Sequence, residues 1–182
     1  MPSSHDVPAA SERAALIRAR AALVIDQGTE EVALLQRLCE LILEADNYHL
    51  AWYGKCIDDS DKSIVVVAST PGHESYVDNV RVSWGDNEWG QGPTGRAIRS
   101  RTAHVIHDIA NDPSCVPWRD LAAGHDFYGC ISIPVVVGDI VDGILIVYTD
   151  VAETFDEPAR ALLDEIADGI ARGLGRLRGL PR

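Results

Sequence analysis

Two apolar, β-branched runs joined by a short turn constrain the fold of this chain most strongly. Residues 130–137 (CISIPVVV) and 140–148 (IVDGILIVY) flank Gly138-Asp139, a pattern that predicts a β-hairpin. Neither run alternates apolar with polar residues, which indicates strands that are covered on both faces at the centre of a sheet. Because Pro134 cannot donate a ladder hydrogen bond, we expect it at a bulge or at an unpaired position.

The other residues predict helices and strands on either side of this hairpin. Helical spacing and a capping residue predict one helix from about Ser11 and a second helix from Thr29. An apolar seam with three- and four-residue steps predicts a long terminal helix over residues 156–178. We further expect strands at 48–57, 63–69, 80–84 and 103–106, a polar loop at 70–79 and a short helix at 93–99. This order is typical of an α+β domain with helices on one antiparallel sheet.

Charge and cysteine spacing argue against several classes of function. The 182 residues carry a net charge of −12, and a nucleic-acid partner would need clustered Lys and Arg. The apolar runs are too short to span a bilayer, and no signal peptide is visible, so we expect no membrane partner. The cysteines are scattered without a C-x-x-C pair, which favours a cytoplasmic chain with reduced thiols over a zinc site or a disulfide scaffold. They are Cys39, Cys56, Cys115 and Cys130.

An ordered set of short motifs resembles the GAF domain family. The motifs are YHLAWYG (48–54), GPTGRAI (92–98), NDP (111–113), PWR (117–119), SIPV (132–135), GIL (143–145) and FDE (155–157). The resemblance rests on their order along the chain and covers about residues 29–173. The sequence looks like the subtype that is attached to bacterial sensor kinases and cyclic-di-GMP signalling enzymes.

The resemblance implies a six-stranded antiparallel sheet of the GAF and PAS type. The N- and C-terminal helices would lie on one face, and loops that enclose a small-molecule pocket would lie on the other. Residues 1–28 would form an N-terminal lead-in and helical arm, 29–173 the sensor domain, and 174–182 the end of the last helix or a linker.

The resemblance also implies a function in bacterial signal transduction. The domain would sense a small molecule without catalysis and pass ligand occupancy through its terminal helices to a partner or a fused output domain, such as a kinase or a cyclic-di-GMP enzyme. Because the sequence contains no output domain, we expect a stand-alone regulator or an excised N-terminal sensor. The apolar seam predicts a homodimer through residues 9–26 and 156–178, since one small sheet cannot cover it fully.

Two alternative functions stay open. One is a thiol-dependent reductase of the free methionine sulfoxide type, which would act through Cys115 or Cys130. The other is a dimerisation module with a vestigial pocket. The family's reductases place their cysteines differently on the loops, and neither cysteine has a matched partner in the sequence, so we expect no enzyme activity.

Aromatic and basic residues near the loop side are the candidate ligand contacts. Only the face without terminal helices can be concave, and its loops carry most of the aromatic residues. We expect a small-molecule pocket lined by Trp84, Trp118 and Tyr128, with polar contacts from Arg96, Arg119 or Ser132. The pocket would hold an anionic or aromatic molecule better than a cation, unless these side chains fill it themselves. The glycine-flanked helix start before Arg96 would either hold an anion or form a tight turn.

The cofactor is left open by the sequence. His104, His107 and His125 fall near the same face, and one of them could ligate heme or another metal. No second ligand is spaced to complete such a site, and the sequence pattern does not demand one.

Overall fold

The computed structural model describes residues 6–180, with side chains described from residue 10 onward. The helices are α1 (Asp6–Gln27), α2 (Glu31–Leu43), α3 (Glu74–Asn79), α4 (Pro93–Ser100), α5 (Arg119–Ala123) and α6 (Glu157–Leu177). The strands are β1 (Tyr48–Cys56), β2 (Ile64–Ser69), β3 (His104–Ile106), β4 (Gly129–Val137) and β5 (Ile140–Thr149). Short 3₁₀ helices lie at Glu88–Gly90 and Pro113–Trp118. None of the helices in this range has the length and apolar character needed to cross a bilayer.

The predicted hairpin forms the centre of an antiparallel sheet with the strand order β2-β1-β5-β4-β3. Side chains alternate between two cores along β5, because Leu145 and Val147 face one core while Ile144 and Ile146 face the other. The prediction of strands covered on both faces is confirmed. Pro134 pairs with Ile144 at a position beyond the end of β3, where β4 has no outer neighbour to receive an N–H.

The α+β class is confirmed, but the number of strands is corrected from six to five. The sixth strand was expected at 80–84, where the structure has a single bridge between Ser63 and Ser83. The backbone of this segment bonds to loop residues instead of forming a ladder with a strand. The Ser83 N–H donates to the Trp89 carbonyl, and the Trp84 N–H donates to the Lys62 carbonyl. The alternating valines are half-buried against the core on the loop side of the sheet rather than paired in a ladder.

Three local predictions are also corrected. Ser11 does not begin the first helix, since α1 already runs from Asp6; residues 1–5 of the expected lead-in lie outside the described range. The second helix is capped by Glu30 rather than Thr29, because the Glu30 carboxylate accepts from the Val32 and Ala33 N–H groups at 3.2 and 2.7 Å. Residues 70–79, expected to be a polar loop, contain α3.

Helices α1, α2 and α6 pack together on one face of the sheet. The N-terminal segment expected as an arm buries Ile17, Ala21 and Ile25 of α1 in the same core as α2 and α6. Close approach depends on a glycine of α6, because a Cβ at Gly169 would lie 2.3 Å from the Ile25 Cδ1 atom. The remaining helices and loops cover the opposite face.

A β-bulge connects this sheet to the end of α6. Val135 pairs with Gly143 and Val136 with Val141, so Asp142 is the extra residue. Its buried carboxylate accepts from the Tyr53 hydroxyl at 2.7 Å and from Arg178, which caps α6, at 2.5 Å. Arg178 also binds Glu31 of α2 through two bonds of 2.7 and 2.8 Å. We call Asp142, Arg178, Glu31 and Tyr53 the Arg178 network.

The Arg178 network keeps its carboxylates ionised. Burial raises the pKa of Asp142, but the hydrogen bonds from Arg178 and Tyr53 outweigh burial and hold that pKa below its ordinary value. The pKa of Glu31 is lowered mainly by its bonds to Arg178. The network therefore fixes α2, β1, β5 and α6 to one another through charge-assisted hydrogen bonds.

Replacing Arg178 by Met should lower the free energy of unfolding by about 1–3 kcal/mol, because it leaves the buried Asp142 carboxylate with Tyr53 alone. Urea unfolding measures this change. The control is Arg37→Met, which removes an exposed pair with Glu40 and should cost less than about 0.5 kcal/mol. Adding Asp142→Asn to Arg178→Met should recover part of the loss. Equal costs for the two arginine variants would contradict the role of the network.

Candidate functional site

A small, mostly apolar cavity of about 30 Å³ lies on the loop side of the sheet. Its lining residues come from β4, β5, α3, α4 and the loops between them. They are Tyr76, Val80, Val82, Pro93, Thr94, Ile109, Cys115, Trp118, Cys130 and Tyr148. A cavity of this size has room for about one water molecule, because the side chains that line it fill most of the space.

Residues 73–82, which we call the cover segment, close the cavity on one side. Tyr76 of α3 is almost fully buried and packs edge-on against Phe127 and Tyr148, with ring centroids 4.9 and 5.2 Å apart. After α3, Val80 and Val82 continue along the cavity wall. The cover segment therefore contributes both aromatic and aliphatic surface to the pocket.

Hydroxyl groups are the main polar features of the cavity. The Tyr76 hydroxyl donates to the Tyr148 hydroxyl at 2.9 Å, and the Thr94 and Ser132 hydroxyls lie 3.3 Å apart. Burial raises the pKa of both tyrosines well above their ordinary value, so both phenols stay neutral at physiological pH. The few polar groups of this mostly apolar pocket are thus uncharged.

Two of the four free thiols also line the cavity, Cys115 on the Pro113–Trp118 turn and Cys130 on β4. Burial raises the pKa of Cys115 and raises that of Cys130 further. Because the thiolate is the nucleophilic form, burial favours the protonated and less reactive form of both thiols. The thiols of Cys39 and Cys56 have their pKa raised to about 12 by burial.

The glycine-flanked start of α4 is packed closely against its surroundings. A Cβ at Gly92 would lie 2.4 Å from the Trp118 ring, and one at Gly95 would lie 2.1 Å from the Gly90 carbonyl oxygen. Gly92, Pro93 and Gly95 are buried. The motif therefore forms a tight loop-to-helix turn beneath Trp118. This is the second of the two interpretations of the sequence, which were an anion site and a tight turn.

The structure brings two of the six predicted contact residues to the cavity region. Trp118 is part of its wall, and its Nε1 donates to the Arg81 carbonyl at 2.7 Å, which attaches it to the cover segment. Ser132 is fully buried and lies behind the wall, beside Thr94.

The other four predicted contacts lie outside the cavity wall. The indole of Trp84 donates to the Ile57 carbonyl at 2.9 Å, and Arg119 donates to the Asp112 carbonyl at 2.9 Å. Arg96 is exposed on α4. Tyr128 is exposed and directs its hydroxyl towards Asp108 at 3.5 Å.

Sequence reasoning missed the two tyrosines that dominate the site. Tyr76 falls in the segment expected to be a polar loop, where its spacing to Val80 and Val82 was the available signal. Tyr148 ends the central hairpin and was counted only as part of a strand. Nothing local reveals that their hydroxyls meet, since the residues are 72 positions apart.

Two histidines pair beside the pocket, one of them in the cover segment. His73, at the start of α3, lies with its Nδ1 3.0 Å from the Nδ1 of His125, and the His125 Nε2 is 3.2 Å from the Ser75 hydroxyl. Of the other candidates, His104 contacts the Ser100 hydroxyl at 3.2 Å and His107 is exposed. Within residues 6–180, no three His, Cys, Asp or Glu side chains are grouped to hold a metal ion.

A second, larger groove of about 700 Å³ lies on the helix side of the sheet. It runs between the C-terminal ends of α1 and α6 and the β4–β5 turn, and Ile25, Val137, Arg176 and Leu180 contribute to it. Charged residues line this groove, namely Asp26, Arg172 and Arg176, whereas none lines the cavity between the sheet and the cover segment. A mostly apolar wall is typical of small-molecule sites, which makes the smaller cavity the stronger candidate.

Comparisons with solved structures agree on the fold. The GAF domain of a phosphoenolpyruvate-protein phosphotransferase from Coxiella burnetii is 18% identical, covers 92% of this chain and 96% of its own, and superposes with a TM-score of 0.77. The free methionine-R-sulfoxide reductase of Neisseria meningitidis, solved with its substrate, is 19% identical over 91% of this chain and 92% of its own, with a TM-score of 0.74. The fRMsr of Staphylococcus aureus is 18% identical over 88% and 94%, with a TM-score of 0.70.

A comparison with curated proteins gives no match. The structural likenesses, all below 20% identity, carry the fold alone. The family itself follows from the sequence, because the model of the GAF domain matches residues 28–174. This match spans most of the chain, and the protein belongs to the GAF domain family.

Proposed function

We propose that this GAF domain is a non-catalytic, cytoplasmic sensor of a small molecule in bacterial signal transduction, of the kind attached to sensor kinases and cyclic-di-GMP enzymes. The observation that carries this proposal is the mostly apolar cavity between the sheet and the cover segment, which no charged residue lines. Its neutral, mostly apolar wall with a few convergent hydroxyls has the chemistry of a site for a small organic ligand.

Binding of anything larger than water requires the cover segment to move. A few contacts hold it in place: the Tyr76–Tyr148 hydroxyl pair, the Trp118–Arg81 bond and the His73–His125 pair. Each joins the cover segment to a different part of the loop side. A small number of local bonds is what a segment needs if it is to open without unfolding the sheet.

A physical route from the pocket to the terminal helices runs along β5. Tyr148, near one end of this strand, forms part of the cavity wall, while Asp142, near the other end, binds Arg178 at the end of α6. Displacement of Tyr148 by a ligand would shift the position of β5, the strand that also carries Asp142. We propose that ligand occupancy reaches α6, and through it a partner or output domain, by this route.

The reductase alternative is less well supported by the thiols. Two of the structural neighbours are reductases, but at their level of identity the likeness extends to the fold alone. In this chain the cavity thiols, Cys115 and Cys130, are buried and have raised pKa values. A nucleophilic cysteine needs a lowered pKa and some exposure. The free state of all four cysteines is also in keeping with the cytoplasmic location we propose.

We also propose a homodimer, through α1 alone. The apolar residues of α6, including Leu163, Ile166 and Ile170, are buried within the domain. On α1, by contrast, Leu16 and Leu23 are 58% and 56% exposed, and the exposed Ala19 lies between them. These three residues follow the a/d spacing of a coiled coil, which is the pattern that a second copy of the same helix would cover.

Filling the cavity should abolish ligand binding. Cys115→Met adds volume to a site that has room for one water, so a metabolite that raises the melting temperature of the wild type should fail to do so in this variant. The control is Val116→Met, which changes the neighbouring, 57% exposed residue. Thermal-shift screening, supported by native mass spectrometry of the protein as purified, provides the measurement. Equal shifts for both variants would place the site elsewhere.

Acid should loosen the cover segment. Burial, the facing His125 and the nearby His49 lower the pKa of His73, and only Glu74 opposes them. The neutral ring is therefore favoured when the segment is closed. Closure is stabilised fully above about pH 6.5, the unfolded value, and loses that stability as the pH falls towards the lower folded value.

Amide hydrogen exchange in α3, corrected for intrinsic rates, tests this pH dependence. Protection should fall between about pH 7.5 and 5.5 in the wild type and in the control His107→Asn, which changes an exposed ring. The fall should be smaller in His73→Asn. A fall of the same size in all three proteins would rule out His73 as the titrating group.

Light scattering should give about twice the chain mass of 19.8 kDa if α1 forms the dimer. Leu16→Lys combined with Leu23→Lys should give the mass of one chain, because the charges cannot be buried between two helices. Val65→Lys, at a 51% exposed position on β2, is the matched control and should stay dimeric. A monomeric wild type at micromolar concentration would end this proposal.

A further inference from the structure

Two imidazole rings face each other where the cover segment begins. The Nδ1 atoms of His73 and His125 lie 3.0 Å apart, although the residues are 52 positions apart in the chain. His73 precedes α3, and His125 follows α5. The sequence identified His125 as one of three candidate metal ligands but offered no second ligand for it. Folding brings His73 to this position.

The distance between the two nitrogens fits two adjacent ligands of one metal ion. First-row dications bind imidazole nitrogen at about 2.0–2.1 Å, and two nitrogens 3.0 Å apart at that radius subtend an angle of about 95° at the ion. Such an angle is typical of the square-planar or tetragonal geometry of Cu²⁺ and Ni²⁺. A tetrahedral Zn²⁺ ion would hold its nitrogens about 3.3 Å apart.

A hydroxyl group orients one of the two rings. The Nε2 atom of His125 lies 3.2 Å from the Ser75 Oγ. When this hydroxyl accepts the Nε2–H, the Nδ1 atom of His125 keeps its lone pair and directs it towards His73. Metal-binding histidines are generally oriented in this way, by a hydrogen bond to the ring nitrogen that does not bind the metal.

Packing and backbone hydrogen bonds hold both rings in place. The buried Phe127 ring has its centroid 4.8 Å from that of His73 and 5.7 Å from that of His125. The His73 carbonyl accepts from the N–H groups of Tyr76 and Val77, which fixes it to the first turn of α3. Because both imidazoles are only partly buried, an ion and its water ligands can reach them without rearrangement of the core.

We propose that His73 and His125 bind one divalent transition-metal ion of tetragonal preference, Cu²⁺ or Ni²⁺, through their Nδ1 atoms, with water in the remaining positions. Without metal, the same two atoms share a proton in a hydrogen bond. The ion takes the place of that proton, which moves to the Nε2 atom of His73, so that both rings stay neutral as ligands.

The bound ion would hold the cover segment closed. One of its ligands belongs to that segment, and the other lies in the loop between α5 and β4. Neither histidine lines the cavity, so the metal site needs no ligand there. This inference therefore goes beyond the proposed function, because it makes opening of the cover segment depend on a metal ion.

Isothermal titration calorimetry of the untagged chain with Ni²⁺ tests the site. His73→Asn and His125→Asn should each weaken binding by at least about tenfold, since even the loss of a residue that only orients a metal ligand costs about 10–100-fold. Asn is a preferred N-cap, so the first variant keeps the start of α3. His49→Asn and His107→Asn change exposed rings and are the matched controls, which should bind as the wild type does.

Two further measurements show what the ion contacts and what it does. Pulsed electron paramagnetic resonance of the Cu²⁺ complex should show the remote nitrogens of two imidazole rings. Amide hydrogen exchange in α3 should slow severalfold when Ni²⁺ saturates the wild type, because opening then requires loss of a metal ligand. The same concentration of Ni²⁺ should leave exchange in His73→Asn and His125→Asn unchanged.

The outcomes separate this inference from the proposed function. If either variant of the pair binds Ni²⁺ as tightly as the wild type, or if Cu²⁺ contacts only one imidazole, the ion is adventitious and the inference is wrong. Unchanged exchange in α3 with the metal bound would overturn its effect on the cover segment. Metabolite binding to the cavity is measured without metal, so the sensor proposal can fail while this inference stands, and the reverse.

Discussion

Burial of the β4–β5 hairpin on both faces is the constraint on which the rest of this structure depends. Residues 144–147 of β5 are almost completely inaccessible, and both of their faces must be covered for the strand to be stable. The helices α1, α2 and α6 cover one face as a tightly packed layer. The other face is left to short helices and loops, which cannot pack as evenly, and the cavity lies there as a consequence.

The bulge at Asp142 links the sheet to the helix layer. It interrupts the alternation of side chains between the two faces of β5 near the end of α6. A carboxylate inside a regular central strand would be buried without a partner. The extra residue instead brings it within reach of Tyr53 and Arg178. Pocket and helix end are thus connected by one strand and one ion pair. The proposed route from pocket to helix uses this strand, which is fixed at both ends by specific contacts, because packed cores tend to switch between discrete arrangements.

The extent to which sequence predicted this molecule depends on how local each interaction is. The hairpin, the terminal helix and α4 follow from periodicity and turn residues that lie within one window of sequence. The strand expected at 80–84 is absent because its valines pack against the loop-side core without pairing in a ladder, and the alternation of Val80 and Val82 is the same in either case. The site is predicted least well from local patterns, because the Tyr76–Tyr148 hydrogen bond joins residues 72 positions apart. No pattern within one window of sequence indicates that these two residues meet.

For the proposed sensor, a cavity with room for one water is compatible with ligand binding only if opening costs little free energy. When the binding-competent form is a small fraction of the molecules, the apparent dissociation constant rises in inverse proportion to that fraction. The contacts of the cover segment set this fraction. One of them, the His73–His125 pair, depends on the protonation state of His73 and so on the pH of the solution. Ligand affinity and pH response are therefore two readings of the same opening equilibrium. A tighter cover segment would reject weak ligands and respond less to acid, whereas a looser one would lose the closed state that a ligand has to change.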